Sequence, residues 1–165
     1  MQRIALLSDT HNYLDGKLYK YIECCDQIWH AGDIGTLAIM DELAKLKPVV
    51  AVYGNIDGTD IRKVYPKNQL FYCEDVKVFM THIGGYPNRY SKEVLLTIQK
   101  EHPNLFICGH SHILKVMYDQ GNSLLHINPG AVGNHGFHSI KTLVRFTIDK
   151  KNISDLEVIE LGKRA

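Results

Sequence analysis

Little in this 165-residue chain points to a charged partner, a membrane or a thiol site. Nineteen Lys and Arg residues against eighteen Asp and Glu leave a formal charge of +1. That balance supplies no global attraction to nucleic acid or to an anionic lipid surface. No apolar run approaches the roughly 20 residues that span a bilayer, and no charged leader with a cleavable apolar stretch precedes the first strand. The chain is therefore expected to be soluble and cytoplasmic, with no membrane partner and no long nucleic acid partner. The four cysteines, Cys24, Cys25, Cys73 and Cys108, include no C-x-x-C pair. This argues against a thiolate zinc site and for buried, reduced thiols that pack as small hydrophobes. Internal repeats, low-complexity tracts and linkers are also missing. With 45% hydrophobic residues, one domain over residues 1–165 with a real core is the expectation.

What is present is a recurrence. Five times a short apolar run ends in residue types that bind metals: IALLSDTH on Asp9 and His11, QIWHAGD on Asp33, VVAVYGN on Asn55, VKVFMTH on His82, and NLFICGHSH on His110 and His112. The runs read as buried strands, and open α/β sheets place ligands outside the carboxyl ends of their strands. Ile4–Ser8, Gln27–His30 and Val49–Tyr53 alternate with helical spacing over Gly16–Cys25 and Thr36–Lys47, a βαβαβ unit with Pro48 ending the second helix. A hairpin is expected from Phe71–Cys73 and Val76–Thr81 around Glu74 and Asp75, then a helix over Ser91–His102 and a strand over Leu105–Cys108. Two more hairpins pair Ile113–Tyr118 with Ser123–Ile127 and Leu143–Ile148 with Leu156–Leu161. Gly54–Asn68 is the longest stretch without a clear element.

Asp9 and His11, two residues apart, would point to the same side of an extended backbone, as would His110 and His112. Carboxylate, imidazole and amide donors without thiolate suit Mn²⁺, Fe²⁺, Zn²⁺ or Ni²⁺ better than Ca²⁺, with Mn²⁺ the first candidate. Seven donors exceed the needs of one ion and match two ions that share a bridging carboxylate. Individually, Asp9 and Asp33 could be helix caps and Asn55 a turn residue; together those readings require five coincidences.

Asp-x-His, Gly-Asp, Gly-Asn, a single His and Gly-His-x-His, in that order, resemble the calcineurin-like metallophosphoesterase superfamily. The INPGA segment after them is similar to its small YfcE-type phosphodiesterase branch. The resemblance spans Ile4 to about Ala131. It implies an α/β fold in which two facing sheets form a β-sandwich flanked by helices, a four-layer αββα arrangement. It also implies that Asp9, His11 and His112 hold one ion with Asp33, and Asn55, His82 and His110 the other, Asp33 being the bridge. The implied reaction is phosphoester hydrolysis, most readily of a small phosphodiester, by in-line attack of a hydroxide between the ions. Asp33, Asn55 and His82 would then serve as catalytic residues. The alternatives are a non-catalytic scaffold like the retromer subunit of this fold, and a small-nucleotide or nuclease-type hydrolase; homo-oligomers stay open.

Two departures from the superfamily pattern matter. Where many members place a histidine after Gly-Asn to protonate the leaving group, this chain has Ile56; Asp57, His135 or His138 would have to substitute. After His82 it has Ile83, followed by Gly84 and Gly85, with Arg89 beyond as a phosphate-clamp candidate against a solvated alternative. Asn12 is a candidate phosphate donor or turn residue, Asn128-Pro129-Gly130 a loop holder beside the site, His30 a packing residue or a support behind the ligands, and His126 a packing residue.

Overall fold

The computed structural model describes residues 1–165. Its elements in order are β1 (Gln2–Leu7), α1 (Leu18–Ile22), β2 (Gln27–His30), α2 (Leu37–Leu46), β3 (Val49–Ala51), α3 (Thr59–Val64), β4 (Asn68–Cys73), β5 (Val76–Thr81), α4 (Lys92–Glu101), β6 (Leu105–Ile107), β7 (Lys115–Asp119), β8 (Leu124–Asn128), β9 (Ile140–Asp149) and β10 (Asn152–Lys163). They form two five-stranded mixed sheets, ordered β10-β9-β1-β2-β3 and β4-β5-β6-β8-β7. In the first, β1, β2 and β3 run parallel. In the second, β5, β6 and β8 do.

The apolar runs are continuous because these strands are covered on both faces. Along β1, Ala5 and Leu7 pack with Leu18, Met40, Leu43 and Ile61 from the three helices outside the first sheet. Ile4 and Leu6 turn the other way, into a layer between the sheets with Trp29, Val78, Met80, Leu105 and Ile127. Trp29 anchors that layer, its ring meeting Phe71 and Phe146 edge-on at 5.1 and 5.7 Å. Outside the second sheet α4 lays Val94 and Ile98 on Phe79 and Phe106. Ser91 caps this helix by accepting from the Val94 N–H. The outcome is the expected αββα sandwich.

Several boundaries differ from those read from sequence. Gly54–Asn68 contains α3, a six-residue helix in which Ile61 is the buried residue; one buried side chain produces no apolar period. The first helix covers only Leu18–Ile22 instead of Gly16–Cys25. The terminal hairpin is longer, and β10 shifts register between Ser154 and Glu157 and again between Glu160 and Gly162, which scrambles its alternation. Cys25, Cys73 and Cys108 are buried and reduced, whereas Cys24 is exposed. No helix is long and apolar enough to cross a membrane.

Candidate metal centre

The carboxyl ends of β1, β2 and β3 in one sheet and of β5 and β6 in the other open on the same edge of the sandwich, and all seven candidate ligands follow those ends. Ligand atoms of Asp9, His11 and His112 lie within 4.8 Å of one another, and so do those of Asp33, His82 and His110. The first trio has the membership that the family resemblance implies for one half; the second brings Asp33 together with His82 and His110, with Asn55 outside it. Asp33 stands between the trios: Oδ2 is 3.4 Å from His11 Nε2 and Oδ1 is 3.2 Å from His82 Nε2. Asn55 follows β3 at the exposed rim, with Ile56 beside it.

The backbone here is not extended. Asp9, His11, Asp33, His110 and His112 all have positive φ, at 54°, 43°, 54°, 68° and 59°. The shared direction of Asp9 and His11, and of His110 and His112, thus comes from left-handed turns and not from strand alternation. Non-glycine residues in this region are uncommon and concentrate where the surrounding structure holds them for function. The holding bonds run between the first two loops: Asp9, His11 and Asn12 N–H groups donate to the carbonyls of Gly32, Asp33 and Ile34 at 2.9–3.0 Å. Below them His30 is fully buried. Its Nδ1 accepts from the Gly32 N–H, so its Nε2 donates to Thr10, which in turn donates to the Ile34 carbonyl. Burial pushes the His30 imidazole down to about 4, which keeps it neutral in this chain of bonds.

Two glycines of the motifs are required by close approach. A Cβ on Gly54 would fall 2.1 Å from Asp33 Oδ1, and one on Gly109 would fall 2.1 Å from the Ser8 hydroxyl oxygen.

Asp57 has a different place from the one sequence suggests. It is 2% exposed, and its carboxylate accepts backbone N–H bonds from Ile34, Gly35 and Gly54 at 2.7–3.1 Å. Donors meet both oxygens, so the side chain clamps the Asp33 loop to the Asn55 loop. Asn12 is also engaged, its side-chain oxygen accepting from Thr36. Arg89 is exposed in the Tyr86–Tyr90 turn. Asn128 holds the last motif, donating to the Gly109 carbonyl and the Ser111 hydroxyl.

His138, a candidate proton donor from sequence, is engaged with its neighbours. Its Nε2 lies 2.9 Å from the Gly133 carbonyl, which can only accept. Burial and the neighbouring His112 hold His138 below the usual imidazole range. Neutral, with its proton on Nε2, it presents a lone pair at Nδ1 and must accept from His112 Nδ1 at 3.1 Å. His112 Nε2 is thereby turned to Asp9 Oδ1, 3.0 Å away.

His82 is oriented in a similar way. Nδ1 donates to the Ala31 carbonyl at 2.7 Å, leaving Nε2 toward Asp33 and Asp9. Burial opposes charge on this ring, but the two carboxylates outweigh it and raise its pKa. Burial likewise opposes ionisation of Asp9 and Asp33, and the histidines overcome it, holding both carboxyls below their usual range. Asp9 Oδ1, His11 Nε2 and His82 Nε2 are buried without hydrogen-bond partners. A divalent cation at each trio would satisfy these atoms, and the donor set fits Mn²⁺, Fe²⁺ or Zn²⁺.

The calcineurin-like phosphoesterase superfamily domain matches residues 2–151. A probable metallophosphoesterase of Methanocaldococcus jannaschii is 29% identical over 134 residues, 78% of this chain and 67% of the relative. Another from Methanothermobacter thermautotrophicus is 26% identical over 136 residues, 78% of this chain and 76% of the relative. Among solved structures, an archaeal phosphodiesterase superposes with TM-score 0.76 at 26% identity, covering 96% of this chain and 99% of that one. Vps29 of Chaetomium thermophilum superposes equally well, with TM-score 0.76, over 99% of this chain and 100% of that one, but at 15% identity; that likeness speaks for the fold alone. With the motifs gathered at one sheet edge and the match spanning nearly its whole length, the chain belongs to the calcineurin-like phosphoesterase superfamily.

Proposed function

We propose that this metal-dependent phosphoesterase acts on small phosphodiesters with two divalent ions, Mn²⁺ first among the candidates, that share the carboxylate of Asp33. The observation that carries this reading is the division of Asp33, one oxygen turned to His11 and the other to His82. Asp9, His11 and His112 would hold one ion, and Asn55, His82 and His110 the other. Such ions neutralise phosphoryl oxygens and bring the pKa of bound water toward neutrality.

The chain's own part is positioning. His138 and the Ala31 carbonyl fix the tautomers of His112 and His82, so that each directs Nε2 inward. Ser8 and the His110 N–H occupy Asp9 Oδ2, which leaves Oδ1 for the centre. The Ile56 N–H fixes Asp33 Oδ1 at 3.1 Å, and the Ile56 side chain, 47% exposed at the rim, brings no proton to a departing group. Weak leaving-group assistance suits substrates whose alkoxide departs readily. The test is metal-reconstituted hydrolysis of bis(p-nitrophenyl) phosphate against p-nitrophenyl phosphate. The diester is expected to react faster with Mn²⁺ present and not at all with chelator; a preference for the monoester would overturn the reading.

A further inference from the structure

The outer faces of the two sheets are covered unequally. Three helices pack outside the first, but the second carries only α4, whose buried residues sit over β5, β6 and the start of β8. No helix covers the outer face of β7, where Met117 is 39% exposed. Over this bare side the Ile83–Tyr86 loop and Ile113 enclose a cavity of about 430 Å³ that opens beside His110. Its volume falls within the usual range for small-molecule sites, about 300–1,000 Å³.

The cavity's polar groups are few and specific. His126, on β8, pairs with Met117 across the strand and faces the same outer side. It is fully buried in the cavity wall, with its ring 5.6 Å from that of Phe106 and 5.9 Å from that of Tyr90. Neither ring nitrogen has a hydrogen-bond partner. Burial pushes this imidazole down to about 4, so near neutral pH it carries one donor and one lone pair, both unspent. Leaving buried polar atoms unpaired is costly, and a side chain needed for packing alone would be better apolar. The Lys115 ammonium, also in the lining, lies 4.4 Å from the centre of the Tyr86 ring, which adds a cation held against an aromatic ring.

We propose that this cavity seats the nucleobase of a nucleoside phosphodiester, with the base between Tyr86 and Ile113 and hydrogen-bonded to His126 while its phosphate reaches the centre past His110. A planar heterocycle with both donor and acceptor atoms answers all three features. A phenyl group or an acyl chain would fill the apolar walls and leave His126 and Lys115 unused. The assignment rests on the phosphodiesterase reading for its catalytic consequence, though not for binding.

Two measurements test it separately. The first is calorimetric titration of the metal-free protein with thymidine and with adenosine, neither of which carries phosphate. At least one should bind, and His126→Phe should weaken that binding by about 10-fold. The second compares kcat/KM for thymidine 5′-(p-nitrophenyl phosphate) and methyl p-nitrophenyl phosphate, which share a leaving group. Wild type should favour the nucleoside ester by about 10-fold or more, mainly through KM, and His126→Phe should erase most of that ratio. Tyr86→Ala, at a 43% exposed position, serves where the His126 variant does not fold, and should lower the same ratio. Nucleoside binding in a protein that hydrolyses no diester supports the cavity assignment while sinking the phosphodiesterase reading. Diester hydrolysis with no preference between the esters and no nucleoside binding overturns the cavity assignment alone.

Discussion

His112 and His138 meet through their Nδ1 atoms at 3.1 Å. Because His138 donates from Nε2 to the Gly133 carbonyl, the pair turns His112 Nε2 toward Asp9, where it could hold a metal ion. Partners of this kind commonly change metal affinity about 10–100-fold when removed. His138→Phe should therefore weaken divalent-metal binding by roughly that factor, measured by competition with a chromophoric chelator. His138→Asn, whose amide oxygen can accept, should recover part of the loss. Equal affinities in wild type and both variants would assign His138 to loop packing only.

The three N–H bonds to Asp57 make it a clamp. Asp57→Ala would strand the buried donors of Ile34 and Gly54 and the half-buried one of Gly35, at a cost of about 1–3 kcal/mol for each that finds no water. Urea unfolding should show a loss of about 3 kcal/mol or more. If Asp57→Asn instead left stability intact and steepened the dependence of rate on leaving-group pKa, the residue would be a proton donor after all.

Ile56 offers no proton where a histidine would. Rates for substituted phenyl phosphodiesters should depend steeply on the pKa of the departing phenol, with aryl esters far ahead of alkyl ones. Ile56→His should flatten that slope. A shallow slope in wild type that steepens in His135→Ala would identify His135, whose ring centre is 4.8 Å from that of His11, as the donor.

Asp15 and Lys141 form a buried pair at 2.6 Å, with side chains 11% and 6% exposed. It ties the loop after His11 to β9. Burial disfavours the Asp15 anion, but the hydrogen bonds from Lys141 and the Lys17 N–H outweigh it and lower its pKa. A depressed folded pKa stabilises above the ordinary value of about 3.9, and that stabilisation is lost as pH falls through the folded value. Lys141→Met leaves the carboxylate uncompensated and should cost about 3–5 kcal/mol near neutral pH. The deficit in urea midpoint should shrink below about pH 4, where protonation relieves the buried charge. A pH-independent deficit would point to lost packing instead.

The strands that carry the candidate centre were legible because each is buried between layers and reads as an unbroken apolar run ending in a residue type that binds metals. Asp9, His11, Asp33, His82, His110 and His112 could be gathered from order and strand ends alone. Two things were not legible. The left-handed backbone at five of these positions depends on bonds between loops, such as His11 N–H to the Asp33 carbonyl, which have no local signature. The supporting residues Asp57, His30 and His138 act across 23, 20 and 26 positions, and spacing of that length carries no periodic signal. The helix α3 escaped because Ile61 is its one buried residue, and the bonds that Asp57 accepts from Ile34 and Gly35 reach across 23 and 22 positions.

The most direct test of the central claim is titration of chelator-stripped protein with Mn²⁺, followed by calorimetry and by bis(p-nitrophenyl) phosphate hydrolysis on the same samples, for wild type and Asp33→Asn. Wild type should bind two ions per chain and gain activity as they bind, while Asp33→Asn should lose affinity at both positions and fall about 100-fold or more in turnover. A single ion in wild type, or two tight ions and near wild-type turnover in Asp33→Asn, would contradict a centre bridged by Asp33.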